Sequence, residues 1–362
     1  AIFSYKEREL PLQLLKSRMG APPEVMINSS IQGLEYVFSN MIRKLIVDYK
    51  PKIAFIEGHG ELSEIEVRDI SRTLSEYYRI ERVRIDGQIN SLSTSKGNSY
   101  KAIIIAKPNL AFSEKDKFII DQFIMKGGKV LWLVETVLAS MDSLITSSTM
   151  FGIPNSINLE DQLFKYGVRI NTNLIQDIQA VSIPVNTAIV GNQPQWELVP
   201  WIYFPMIMPV SKHPIVNNLN AIKFEFVNSI DTVRARGIKK TVLLTTSRYT
   251  RLVNAPVRIS LRIINELPDE KFFNKPFQPV AVLLEGEFQS VFQNRIPPKI
   301  KNSEEIGYKK KSPPNKMIVI SDGDIIRNHA YSKPARTVVP TGVTLAEQTY
   351  GDGWGGFGAG SP

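Results

Sequence analysis

The chain has 362 residues, 43% hydrophobic and 22% charged, which is typical of a globular protein with a substantial core. Lys and Arg outnumber Asp and Glu by 44 to 35. This positive charge is dispersed and is not interleaved with aromatic residues, so the composition argues against a nucleic-acid partner. Because there is no cysteine, disulfides, thiolate metal sites and cysteine nucleophiles are excluded.

The ends of the chain contain no targeting or anchoring signal. No stretch approaches 18 uninterrupted apolar residues, so no transmembrane segment is predicted. The chain also begins without Met and without the apolar core of a signal peptide. We therefore expect a soluble piece of a longer protein.

Helix and strand patterns alternate in the first half of the chain. Buried strands are predicted at Ile53–Glu57, Ala102–Ala106 and Val130–Val134, and amphipathic helices begin near Asn28 and at Ser113. Alternating elements of this kind build a parallel sheet between two layers of helices. The predicted fold class is therefore α/β, with a mainly parallel, flavodoxin-like sheet and helices on both faces.

The second half of the chain is less regular. Residues 136–156 are rich in Ser and Thr and are predicted to form a long loop or lid. Prolines and aromatic residues crowd the segment 176–210, which predicts either a packed irregular surface or a recognition surface. Candidate contact residues in this segment are Trp196, Trp201 and Tyr203. Further strands are predicted at Val168–Ile170, where the chain re-enters the sheet, and at 221–227, 242–246, 280–285 and 316–324.

These patterns divide the chain into four parts. The predicted parts are an entering arm (1–27), the first half of an α/β domain (28–158), a second part whose strands join the same sheet or form a second lobe (159–330), and a Gly-rich tail predicted to be disordered (331–362).

Acidic side chains and one imidazole follow the first and last predicted strands. Glu57, His59 and Glu61 surround the first glycine turn, and Asp322 and Asp324 surround the last. If those strands are neighbours, the side chains converge at one rim, as a hydrolase or a metal site requires. The alternative is that they only form hydrogen bonds within tight turns. We treat the five residues as a candidate ligand-binding or partner-binding rim.

Known catalytic and cofactor motifs are incomplete. A dinucleotide fingerprint lacks its third glycine, because Ser63 stands at that position, and there is no P-loop pattern. The strand exits supply no nucleophile, and neither His213 nor His329 has an acidic neighbour in sequence. We therefore predict no catalytic residue, no bound metal and no cofactor.

Four separated motifs resemble a known family. They read INSSIQGLEYVFSNMIRKL at 27–45, KIAFIEGHGEL at 52–62, VAVLLEGEFQSVFQNR at 280–295 and MIVISDGDIIRN at 317–328. In this order they resemble the gliding-motility-associated GldG family of Bacteroidetes. That family comprises auxiliary, nominally substrate-binding subunits of ABC transporters, and the resemblance covers about residues 24–330.

The resemblance implies a periplasmic domain tethered to the inner membrane through anchors that this chain lacks. It also implies a permease subunit and an ATPase subunit as partners. The implied fold is similar to that of class I glutamine amidotransferases and of the related intraflagellar-transport domain, without catalytic residues. After QTYG at 348–351 the chain departs from the family pattern, because DGWGGFGAGSP replaces an apolar helix.

Three functions remain open from the sequence. The leading hypothesis is a non-enzymatic periplasmic module of a transporter for gliding or secretion, which acts by binding a protein or a ligand. The second is a solute receptor for a saccharide or a peptide. The third is a hydrolase with an amidotransferase-like fold.

Overall fold

The fold is given by a computed structural model that describes residues 1–15, 22–47, 49–190, 193–217, 219–328 and 344–345. Strands make up 35% and helices 22% of the structure. The α-helices of the described residues are α1 Pro23–Ile46, α2 Arg68–Ser75, α3 Glu114–Met125, α4 Met141–Thr146, α5 Glu160–Tyr166 and α6 Pro298–Lys301.

Twenty-two strands are formed by the described residues. They are β1 Ile2–Tyr5, β2 Arg8–Pro11, β3 Lys52–Glu57, β4 Arg79–Arg84, β5 Ser93–Thr94, β6 Gly97–Asn98, β7 Ala102–Ala106, β8 Lys129–Leu133, β9 Val137–Leu138, β10 Thr149–Pro154, β11 Val168–Ile170, β12 Asn173–Asp177, β13 Ala180–Val190, β14 Gln193–Ile207, β15 Ile222–Lys223, β16 Ile230–Thr232, β17 Ile238–Thr245, β18 Thr250–Asn254, β19 Val257–Ser260, β20 Pro279–Gly286, β21 Asn315–Ile320 and β22 Thr344–Leu345.

A seven-stranded mixed sheet forms the centre of the fold, in the order β17-β20-β21-β8-β7-β3-β4. The five strands from β21 to β4 are parallel to one another. The other two, β20 and β17, join antiparallel at one side. The carboxyl ends of β3, β7, β8 and β21 therefore lie along one edge of the sheet.

Both faces of this sheet are buried, which explains the continuous apolar runs in its strands. On β8, Val130 and Trp132 pack in the core that contains α3 and α5. Leu131 and Leu133 point to the opposite face and pack with the region around α2. Successive side chains from Val130 to Leu133 therefore alternate between the two cores, although all of them are apolar.

Antiparallel strands account for most of the remaining structure. The smaller sheets of the described residues are all antiparallel, with the orders β1-β2, β5-β6, β19-β10-β9, β11-β16, β12-β18 and β15-β14-β13-β22. Beside β20, residues of β12 and of the loops near β15 cover one face of the central sheet.

The predicted fold class is therefore wrong. The protein is strand-rich, with one mixed sheet and several small antiparallel ones, and it is not a mainly parallel, flavodoxin-like or amidotransferase-like sheet with helices on both faces. The prediction extended the pattern of the first half to the whole chain. In the second half, short strands pair with partners far away in sequence, and such pairings leave no periodic signal in a single segment.

Two predicted segments differ from the structure for this reason. Residues 136–156 were predicted to be a loop or lid, but they form β9, α4 and β10, and β10 pairs with β19 more than a hundred residues later. The strand at Val168–Ile170 exists, but it pairs with β16 in a separate two-stranded sheet and does not enter the central one.

The proline-rich segment is a long hairpin of β13 and β14 rather than an irregular surface. Prolines fit there because most of the hairpin is a two-stranded ribbon with outward-facing edges. At such an edge the backbone N–H is not needed for a hydrogen bond to a neighbouring strand, so proline is tolerated. Pro184 and Pro200 both lie within the paired register, which is interrupted by two irregularities.

Near the ends of the chain, α1 begins at Pro23, five residues before Asn28, near which the helix was predicted to begin, because Pro22 and Pro23 suit the first positions of a helix. The described part of the predicted entering arm contains the hairpin of β1 and β2. The disorder predicted for 331–362 falls outside the described residues, apart from Thr344–Leu345, which pair with β13.

The hairpin supplies a direct test of which tryptophan is core. Trp201 is 0% exposed, whereas Trp196, on the same strand, is 42% exposed. We expect Trp201→Ala to lower the free energy of unfolding by about 3–5 kcal/mol, because it empties a buried volume. The control Trp196→Ala should cost about 1 kcal/mol or less. Urea denaturation followed by circular dichroism measures both, and equal costs would contradict this assignment.

Candidate functional site

The loops that follow β3, β7, β8 and β21 meet at one edge of the central sheet, which we call the carboxyl rim. Ligands of open α/β sheets gather at such edges. Two glycines allow the loops to approach closely. Gly60 has a φ of +72°, and a Cβ there would lie 1.7 Å from Asn109 Oδ1. A Cβ on Gly323 would lie 2.4 Å from Lys107 Cβ.

His59 is the centre of one polar group at this rim. Its Nδ1 lies 3.3 Å from Glu61 Oε1, and its Nε2 lies 3.3 Å from Asp116 Oδ2. The ring stacks on Phe112 with centroids 3.7 Å apart. Since both ring nitrogens face carboxylates, the doubly protonated imidazolium satisfies both hydrogen bonds.

The charge of this group follows from its surroundings. Burial by itself lowers the pKa of His59, but hydrogen bonds and negative charge from Glu61 and Asp116 outweigh it, and the pKa is raised. Burial by itself raises the pKa of Asp116. Hydrogen bonds from Ser113 and Gly87 and the nearby His59 lower this pKa by more, so the net shift is downward. Below its raised pKa, His59 is therefore a buried cation between two carboxylates.

A second polar group is centred on Lys107, directly after β7. Its Nζ lies 3.3 Å from Glu135 Oε1 and also contacts Asp324. Glu135 follows β8 and accepts a hydrogen bond from the Gly323 N–H at 2.8 Å. Asp322 is fully buried and accepts backbone hydrogen bonds from the N–H groups of Asp324 and Glu225, both at 2.7 Å.

Burial and mutual repulsion control the ionisation of this second group. Burial raises the pKa of Glu135 to about 7, although the Lys107 charge acts in the opposite direction. Burial and the negative charges of Asp324 and Glu135 raise the pKa of Asp322 well above its usual value. Burial lowers the pKa of Lys107, but the charges of Glu135 and Asp324 raise it by more. Lys107 is therefore a permanent cation.

Three of these carboxylates are close enough to consider as metal ligands. One oxygen from each of Glu135, Asp322 and Asp324 lies within 4.8 Å of the others. The Lys107 ammonium already supplies positive charge to two of them. The donor set therefore fits a lysine counter-ion better than a divalent cation.

An open cavity of about 440 Å³ lies over the rim, and we call it the rim cavity. Arg327 lies at its edge, with guanidinium nitrogens 3.0 Å from Glu66, 3.2 Å from Asp142 and 3.4 Å from Asp324. The charged residues that line the cavity are Glu61, Glu66, Lys107, Glu135, Asp142 and Arg327. Apolar residues of β9 and β10 also line the cavity, including Leu138, Phe151 and Ile153.

The structure separates the rim residues that the sequence singled out. β3 and β21 are not neighbours, because β8 and β7 lie between them. Three inter-strand spacings of about 4.8 Å place the two strands roughly 14 Å apart. His59 and Glu61 therefore form one group and Asp322 and Asp324 another. Glu57 belongs to neither group, since it pairs with Arg82 on β4.

Sequence reasoning missed four participants in these groups: Lys107, Asp116, Glu135 and Arg327. Lys107 and Glu135 are each the first or second residue after a buried strand, and a charged residue at that place is the signal that could have identified them. Asp116 lies in the first turn of the helix predicted to begin at Ser113 and was not singled out, and Arg327 had no distinguishing pattern.

The aromatic candidates of the hairpin do not share a surface. Trp201 and Tyr203 are buried and pack together with ring centroids 5.5 Å apart. Their neighbours in this core include Phe226. Trp196 is partly exposed on the hairpin. Of the three, Trp196 alone offers substantial surface to a partner.

The rim groups lack the geometry of an activated nucleophile. Ser113 Oγ donates to Asp116 Oδ2 at 2.7 Å and caps α3, so its hydroxyl faces a carboxylate rather than an imidazole. Both nitrogens of His59 are directed at carboxylates. What the arrangement can do is present fixed charges and an apolar wall to a bound group.

Comparison with known proteins gives the class of this protein. The sequence profile of the family ABC_transp_aux, described as an ABC-type uncharacterized transport system, matches residues 50–352. The chain belongs to this family and is an auxiliary component of an ABC-type transport system. No curated protein matches the chain. In the part of the chain that the structure describes, no helix has both the length and the hydropathy needed to span a membrane.

Two solved structures are similar to the chain at low identity. The "mmIFT52 N-terminal domain" shares 12% identity and a TM-score of 0.43, with 76% of this chain and 88% of that chain covered. An exo-beta-1,4-mannosidase, Op5Man5 from Opitutaceae bacterium strain TAV5, shares 11% identity and a TM-score of 0.28, with 82% of this chain and 35% of that chain covered. Neither likeness is close enough to support a conclusion.

The His59 group predicts a specific pH dependence of stability. Because the pKa of His59 is raised in the folded state, its stabilisation is fully present below about pH 6.5, the unfolded value, and is lost as the pH rises through the folded pKa. The advantage of the wild type over His59→Gln, measured by urea denaturation, should therefore shrink with rising pH. An advantage that is constant or grows would contradict the buried imidazolium, and His213→Gln is the control.

The Lys107 group predicts a large loss of stability when its cation is removed. Lys107→Met leaves the buried Glu135 without its counter-charge and leaves Asp324 with Arg327 as its remaining cation, which should cost about 3–5 kcal/mol at neutral pH. The control Lys311→Met removes an exposed ion pair with Glu287 and should cost about 1 kcal/mol or less. Adding Glu135→Gln to Lys107→Met should restore part of the loss. Equal costs for Lys107→Met and Lys311→Met in denaturation experiments would contradict the assignment.

Proposed function

We propose that this protein is the non-enzymatic periplasmic domain of a membrane-anchored auxiliary subunit that works with an ABC permease and an ATPase. The system belongs, in this proposal, to bacterial gliding motility or secretion in Bacteroidetes. The family supports the transport context, and the four motifs that resemble the GldG family support the finer assignment. The subunit acts by binding a partner at the rim cavity.

The observation that carries this proposal is the internal pairing of the cations at the rim. His59, Lys107 and Arg327 each contact two or more carboxylates of the same chain. A general base or an electrostatic catalyst needs groups directed at a reacting atom. Here those groups are directed at one another, which supports a rigid binding surface instead of a reactive centre.

Exposed apolar residues outside the rim support association with other proteins. On α1, the side chains of Val25, Ile31, Ile42 and Ile46 are each at least half exposed. Exposed apolar residues that cluster on a surface are a feature of protein interaction sites. α1 precedes the segment that matches the family profile and contains the first of the four motifs that resemble the GldG family.

Co-purification from membranes tests the proposed function. The tagged full-length protein, solubilised from native membranes in a mild detergent, should bring with it one ABC permease and one ATPase, identified by mass spectrometry. The control variant Lys311→Met alters an exposed ion pair away from the rim and should retain both partners. Recovery of the tagged protein without either subunit would overturn the proposal.

A further inference from the structure

The charge of the rim cavity indicates what kind of group it binds. Its lining holds four carboxylates, from Glu61, Glu66, Glu135 and Asp142, against two cations. The buried Asp324 behind the lining also contacts both cations. The cavity therefore presents a surplus of negative charge, and its cations have little attraction left for an anionic ligand.

The most accessible of these carboxylates is Asp142. Its side chain is 59% exposed, and its ion-pair partner in the described structure is the Arg327 guanidinium at 3.2 Å. Glu66 accepts a hydrogen bond from Nε of the same guanidinium at 3.0 Å, and its side chain is 27% exposed. Asp142 accepts a hydrogen bond from Arg327, whereas Glu66 accepts one from Arg327 and two more from the N–H and the hydroxyl of Ser63, at 2.9 and 2.7 Å. Since a carboxylate can accept about four hydrogen bonds, both retain acceptor capacity. They can therefore receive an additional cationic donor.

An apolar strip lines the same cavity as these carboxylates. Phe151 and Ile153 point to the same face of β10, because they are two residues apart, and Leu138 on β9 is the cross-strand partner of Ile153. Phe151 is 64% exposed, which is unusual for an aromatic side chain in a cavity wall. Both edges of β10 are already paired, so the strip offers side chains rather than a free strand edge.

We propose that the rim cavity binds the side chain of an arginine or lysine on an apolar-flanked segment of a partner protein. The charged head lies against Asp142 and Glu66, and the aliphatic stem and its apolar neighbours lie on Phe151, Ile153 and Leu138. A long basic side chain has an apolar stem and a charged end, which matches the apolar and charged parts of the lining. The exposed ring of Phe151 adds a cation–π surface. The inference rests on the proposed function, since it names the chemistry of the partner.

A protein segment fits the cavity better than a free small cation does. The apolar strip extends along two strands and remains exposed beyond the carboxylates. A free diamine or guanidine would cover only part of it. A segment with leucine-like residues beside the basic one buries the remaining apolar surface as well, and buried apolar area adds to affinity.

Isothermal titration of the purified chain with short peptides tests this inference. The probes are acetyl-Leu-Arg-Leu-amide, the same peptide with neutral citrulline in place of arginine, and the free cation agmatine. We expect the arginine peptide to bind at least about tenfold more tightly than either of the others, because each of them lacks one of the two interactions. If the citrulline peptide binds as tightly as the arginine peptide, the cavity does not recognise the positive charge. If agmatine binds as tightly as the arginine peptide, the ligand is not a protein segment.

Matched variants locate the binding. Asp142→Asn and Phe151→Ala should each weaken the arginine peptide by about fivefold or more. The controls are Asp231→Asn, an exposed carboxylate that also pairs with an arginine, and Phe272→Ala, an exposed ring elsewhere. Both controls should leave the affinity unchanged. Unchanged affinity in the two cavity variants would overturn the inference even if the peptide binds.

The outcome is separable from that of the proposed function. If the permease and ATPase co-purify but no arginine peptide binds, the inference about the cavity is wrong and the proposed function stands. If the peptide binds and the variants weaken it, but neither subunit co-purifies, the transporter assignment is wrong and the cavity assignment stands. Circular dichroism of each variant confirms that the fold is retained.

Discussion

The buried ion pairs of Lys107 are the interaction on which the rim depends. Lys107 follows β7, Glu135 follows β8 and Asp324 follows β21, three strands that are adjacent in the central sheet. A buried charge is costly unless it is paired, so the three loops must take the arrangement that brings these groups together. Arg327 extends the same network to Glu66 and Asp142, and in this way it fixes the edge of the rim cavity.

This arrangement explains why the rim is polar without being reactive. Its ionisable groups neutralise one another across loops, and His59 repeats the pattern with Glu61 and Asp116. The carboxylates nevertheless outnumber the cations in the cavity lining, and an apolar strip lines the same cavity. The residues that form the ion pairs are therefore also the ones that can bind a partner. Each cation is shared by more carboxylates than it can neutralise, so negative charge is left over.

The sequence was sufficient for elements whose signal is local. The strands at β3, β7 and β8 and the Ser113 cap of α3 were predicted within about two residues, since apolar runs and caps are read from neighbouring positions. The prediction for β21 found its start within one residue but continued four residues past its end, into the turn around Gly323. The sequence was insufficient for β9, β10 and the hairpin of β13 and β14. Those strands depend on partners distant in sequence, and their prolines and hydroxyl residues resemble a loop when considered alone.

By itself the sequence determined the parallel core strands, the absence of cysteine chemistry and the acidic and imidazole residues at strand exits. Tertiary structure alone decided the mixed, strand-rich fold and which of those residues meet. The physical reason is that strand order is a choice among pairings of similar local quality. With β7 and β8 placed between β3 and β21, His59 is separated from Asp322, and Lys107 becomes the cation that Glu135 and Asp324 share.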